Sequence, residues 1–131
     1  MTKLIFKTKG IPPKIQFDGY SAAIITGVET TLTRLSPDEL AEKWGADLDS
    51  AVSVSVEGQY GTMITGEKYI LKEFRLRDEN GESIIFDDLC VLYVSDGLTT
   101  DFVFGTDILC ETNYGFSTLE KDQSFFSIEK P

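Results

Sequence analysis

What this chain can fold into is constrained first by its punctuation: short apolar-polar alternations broken by glycine turns. Lys14-Ile15-Gln16-Phe17 alternates and runs into Asp18-Gly19. Val52-Ser53-Val54-Ser55-Val56 keeps strict period two before the glycine-flanked turn Glu57-Gly58-Gln59-Tyr60-Gly61. Alternation sends successive side chains to opposite faces of a strand, and Asp-Gly supplies the left-handed backbone of a two-residue hairpin. The same grammar predicts strands over 20–25, 30–35, 69–71, 74–76, 83–86, 89–94 and 101–104, with turns at Asn80-Gly81 and Asp96-Gly97. A terminal hairpin is expected from residues 115–119 and 124–128 around Glu120-Lys121-Asp122. One helix is expected, Pro37 to Trp44. Ser36 is its N-cap, Pro37 suits the first position, Glu39 completes a capping box and Gly45 offers a left-handed stop. The pattern predicts a single mainly-β domain over residues 1–131, barrel-like, with one or two short helices.

Composition narrows the chemistry. A net charge of −10 disfavours nucleic acid, whose phosphates it would repel. No apolar run reaches the length of a membrane span, and the basic start Met1–Lys7 lacks the apolar stretch of a signal peptide, so the expected location is the cytoplasm. The chain has no histidine, which removes Ser-His-Asp and Cys-His catalysis and any histidine-ligated metal. Cys90 and Cys110 sit in apolar contexts and are expected as buried thiols rather than a disulfide. Asp78-Glu79 and Asp87-Asp88 lack calcium-loop spacing and read as turn charges. No metal or cofactor is expected.

The order of the pieces carries a resemblance. An apolar strand, Ala22-Ala23-Ile24-Ile25, runs into Thr26-Gly27-Val28. It is followed by the strand Leu32–Leu35, a short helix ending in glycine, the strand into the turn at Val52–Gly61, and Phe102-Val103-Phe104-Gly105-Thr106-Asp107-Ile108-Leu109. This set, over roughly residues 11–129, resembles the retropepsin-like aspartic peptidases, whose catalytic Asp stands before Thr-Gly at the end of such a strand. Here Ile25 holds that position.

The resemblance implies a retropepsin-like acid-protease β-barrel that works as a homodimer, each copy bringing half a site. It implies that Thr26 and Gly27 let two loops interlock, and that the hairpin around Gly58, Tyr60 and Gly61 forms a flap over an extended peptide. It also implies that Gly105 and Asp107 are structural, near the start of a late helix. In the family two carboxylates share a proton and activate a water. With isoleucine at both positions there is no base for that water and no acid for the leaving amine.

The expectation is a catalytically inactive, dimeric domain that binds a peptide or protein ligand. Two alternatives stay open: an endopeptidase lobe that is active with a partner's Asp or carries an engineered Ile25, and a structural β-domain without a functional cleft. Glu29 is placed either to hold a ligand's backbone or amine or as a solvated loop charge. Tyr60 either covers a ligand or packs on its own strands.

Overall fold

The computed structural model describes residues 2–57, 59–120 and 123–130. In chain order the strands are β1 (Thr2–Thr8), β2 (Lys14–Phe17), β3 (Tyr20–Ile24) and β4 (Thr31–Thr33). Helix α1 (Pro37–Trp44) follows, then β5 (Val52–Glu57), β6 (Met63–Arg77), β7 (Ser83–Tyr93) and β8 (Phe102–Phe104). A short α2 (Thr106–Leu109) leads to β9 (Asn113–Glu120) and β10 (Gln123–Lys130). The domain is mainly β, as the alternation predicts.

The strands form a seven-stranded sheet, β2-β3-β8-β4-β7-β6-β5, and a three-stranded sheet, β1-β10-β9. Among the described residues neither sheet closes into the expected barrel. The ladder between β1 and β2 shrinks to a single bridge, Lys9 opposite Lys14. The intervening corner contains Pro12 and Pro13, which have no N–H to donate to a ladder.

Most of the punctuation lands where the residues place it. Phe17 pairs with Tyr20 across Asp18-Gly19, whose φ values of 49° and 83° are both left-handed, as a tight hairpin with right-handed twist requires. Helix α1 starts at Ser36, whose Oγ accepts the Glu39 N–H at 3.3 Å. It stops at left-handed Gly45, with Gly45 N–H donating to Ala41 O and Ala46 N–H to Leu40 O.

The differences have local causes. Glu39 does not complete a capping box; its Oε2 accepts the Tyr20 hydroxyl at 2.7 Å, tying the helix to β3. Residues 69–71 and 74–76 belong to one strand, the 15-residue β6, and 83–86 and 89–94 largely to one strand, the 11-residue β7. Asp87-Asp88 is therefore inside β7 and not a turn. The pairing of β6 with β7 keeps one register on both sides of Asp88, which takes φ 53°. Asp78 is not a solvated turn charge either: it is 7% exposed. Its Oδ1 accepts the Asn80 and Glu82 N–H groups and its Oδ2 the Ile5 N–H at 3.1 Å, so it pins the β6–β7 turn to β1. Both cysteines are free thiols, but neither is buried: Cys90 is half-buried, and Cys110 is exposed because α2 is one turn long and the chain leaves it at the surface. Of the terminal hairpin, Lys121 and Asp122 lie outside the described residues. Among the described residues no helix is long and apolar enough to cross a membrane.

The main core lies on one face of the large sheet, under α1 and the small sheet. Phe17, Phe74, Phe102 and Phe104 contact one another at centroid separations of 5.5–6.0 Å, and Trp44 adds contacts of 5.4–5.5 Å to Tyr20, Phe74 and Phe102. Each such ring buries enough apolar area to contribute on the order of 2–3 kcal/mol.

Two phenols are held protonated by this packing. Burial, and then the hydrogen bond to Glu39, push the Tyr20 phenol up to about 12 from its ordinary 10.0. For Tyr69 the hydrogen bond to Glu67 comes first and burial second, with the same result of about 12. A phenol whose native value exceeds its unfolded value stabilises the fold fully below the unfolded value. That stabilisation is lost as pH rises from about 10 towards 12. In an ultraviolet titration two of the five tyrosines are expected to ionise near pH 12. Tyr20→Phe and Tyr69→Phe should each remove one late step; a late phase that survives both substitutions would refute the assignment.

Candidate functional site

The large sheet is apolar on both faces near its middle, and the second face makes the site. In β3, Ala22 and Ile24 enter the main core while Ala23 points the other way; in β8, Phe102 and Phe104 enter it while Val103 does not. Ala23 and Val103, with Val28, Leu32 and Leu92, form a separate buried cluster. Over it lie side chains that are only partly buried: Ile25, Val54, Val56, Ile64, Val94 and Leu98. Val54, Val56 and Ile64 come from the paired strands of the β5–β6 hairpin, on the one face that the Val-Ser-Val-Ser-Val alternation makes apolar. Leu98 is placed by Arg34, whose guanidinium donates to its carbonyl and meets Asp101 at 3.2 Å.

The loop after β3 is strapped to the segment after β8 by backbone. Ala22–Ile24 run parallel to Phe102–Phe104, and the Ile25 N–H continues the ladder to Phe104 O at 3.1 Å. Further on, Thr106 N–H donates to Val28 O at 2.8 Å and Asp107 N–H to Glu29 O at 3.2 Å. Gly105 permits this approach. A Cβ there would press against the Val28 carbonyl, closer than side-chain carbons come to backbone oxygens. Asp107 is committed to β4: its Oδ2 accepts the Thr31 N–H at 3.0 Å and its Oδ1 the Thr31 hydroxyl at 2.7 Å. It also accepts the Ile108 N–H at 2.8 Å, which satisfies a free donor in the first turn of α2.

Thr26 and Gly27, at the tip of the strapped loop, are exposed, and among the described residues Thr26 makes no side-chain hydrogen bond. Glu29 is exposed as well, and only its backbone carbonyl is engaged. At the far hairpin Tyr60 is 98% exposed, and it and Gly61 take left-handed φ values of 59° and 74°. Tyr60 does not pack on its own strands. Gly58 lies outside the described residues. The residues near Ile25 thus fall into two groups, an apolar surface with Ile25 in it and an exposed loop tip beside it.

Sequence reasoning missed four contributors. Thr31 is buried only because Asp107 satisfies both its donors, a pairing across 76 residues that no local pattern reveals. Asp101 joins three strands: it accepts the Ser21 N–H, its own N–H donates to Ser21 Oγ, and its carbonyl accepts from Thr33 and Arg34. Val94 and Leu98 reach the surface only through the fold of 94–101. Of the two carboxylates nearest in sequence to these segments, Asp107 is spent on Thr31 and Glu29 is exposed.

Comparison with known proteins finds no counterpart: no family model, no curated protein and no solved structure matches this chain.

Gly105→Ala should cost about 2–3 kcal/mol in urea unfolding, since the contact it creates is with backbone and cannot be relieved by a rotamer. Asp107→Ala should cost a similar amount by stranding the buried Thr31 donors, and Thr31→Val should recover part of it in the double variant. Additive losses would show that the two residues are not coupled.

Proposed function

We propose that this chain is a retropepsin-like domain that has lost its catalytic acid, pairs with a second copy, and holds an extended peptide between the paired apolar surfaces. The observation that carries the reading is the half-covered apolar surface around Ile25. It is bordered on one side by the exposed Thr26-Gly27 tip and on the other by the hairpin of β5 and β6.

The arrangement suits a peptide for three physical reasons. Ile25, Val54, Val56 and Ile64 offer apolar contact without a charge, so bound side chains lose no hydrogen bonds to unmatched partners. Strand β5 is an edge of the large sheet, and a peptide can add to such an edge through backbone hydrogen bonds. Tyr60, fully exposed at the hairpin tip, is free to close over what is bound.

A second copy explains the rest. Isologous pairing brings one patch against itself, so two Ile25 side chains and two Thr26-Gly27 tips meet at a single axis. Burying the two isoleucines there contributes on the order of 1.5–3 kcal/mol each and leaves a dry centre where the family has a shared proton. The consequence for chemistry is that the site grips and does not cut.

Sedimentation equilibrium should give a dimer mass that Ile25→Lys converts to monomer. A strict monomer at high concentration would sink the dimer. The purified chain should leave a peptide library intact at acid and neutral pH while retaining a subset of its members on a column. Ile25→Asp should restore cleavage that an aspartic-peptidase inhibitor blocks; cleavage by the unaltered chain would overturn the inactive reading.

A further inference from the structure

The charge of the chain is unevenly spread. Lys3, Lys7, Lys9 and Lys14 all precede the first carboxylate, Asp18, in a protein whose net charge is −10. The fold then concentrates three of them. Lys7, Lys9 and Lys14 line one cleft of about 790 Å³ at the corner where the small sheet meets the large one. That size is in the range of small-molecule sites.

The backbone sets where these side chains begin. Lys9 and Lys14 form a mutually hydrogen-bonded antiparallel pair, N–H to O at 3.1 and 3.0 Å in the two directions. Directly opposed residues of this kind have Cα atoms about 5.5 Å apart and side chains on the same side of the ladder. Lys7, two positions earlier, shares that side. Like charges directly opposed are destabilising unless something intervenes. Among the described residues none of the three lysines forms an ion pair. Glu79 is the one carboxylate among the described residues that line the cleft. The Lys14 ammonium sits over Gly10, where a Cβ would stand 3.3 Å from Nζ, so the bare glycine leaves room for it at the cleft wall. Gln16 and Ser21 bring neutral polar groups to the same wall.

We propose that this cleft binds a small polyanion with closely spaced phosphoryl groups. The lysines would neutralise adjacent phosphoryl charges as compact point cations. The anion in turn would screen the Lys9–Lys14 repulsion. The site is separate from the Ile25 surface and does not depend on the function proposed for it.

The test is titration calorimetry of the full chain with inorganic tripolyphosphate, at low and at physiological ionic strength. The expected result is one site whose affinity falls with salt, reduced about tenfold or more in Lys9→Gln/Lys14→Gln. The control Lys43→Gln/Lys72→Gln, which neutralises two lysines of a different cleft, should bind like the parent. Equal loss in both variants would mean a bulk charge effect and overturn the proposal, as would no binding. Amide shift mapping on the unaltered chain should confine the changes to residues 7–16 and the cleft-lining Ser21, Glu79 and Gln123, a readout that stands even if the double variant misfolds. Changes scattered over the surface, or a single-stranded oligonucleotide that binds more tightly than tripolyphosphate, would equally overturn it.

Discussion

The fold depends on the parity of one three-residue strand. Phe102 and Phe104 enter the aromatic core, and Val103 between them enters the second apolar cluster. Because β8 is flanked by β3 in parallel and β4 in antiparallel pairing, its parity sets theirs: Ala22 and Ile24 go to one side, Ala23 and Leu32 to the other. A one-residue slip would drive two phenylalanines out of the core, at a cost of several kcal/mol. The large core therefore holds the register, and the register in turn aims Ile25 and the loop after it. The geometry of the second face is thus held by packing on the first.

Much of this was legible in the residues. Asp18-Gly19, the Ser36-Pro37 start and Gly45 stop of α1, and the Val52–Val56 alternation each encode local geometry within a few positions. What the residues hide is non-local. Asp78 looks like its acidic neighbours in a turn, yet it is buried by β1, which arrives from 73 residues away. Asp87-Asp88 carries the composition of a turn but sits inside β7, because pairing with β6 continues past it. Glu39 had a local partner in prospect and took Tyr20 instead. At the candidate site, Ile25, Gly105 and Asp107 could be singled out in advance. Thr31 and Leu98 could not, since their roles exist only once distant segments meet.

The two surfaces differ in how they are made. The apolar face is a by-product of a sheet buried on both sides, as its middle strands are too hydrophobic to leave either face to water. The lysine cleft comes from a corner, where one cross-strand bridge sets two lysines opposite each other in an otherwise acidic chain.

The strap beneath Ile25 has a wider consequence. The Ile25 N–H, the Val28 carbonyl and the Glu29 carbonyl are all engaged through backbone, and the clearance they need is provided by Gly105. None of these contacts consults the side chain at position 25. The backbone frame is thus indifferent to the side chain it presents at position 25, which can change without any of these contacts being withdrawn.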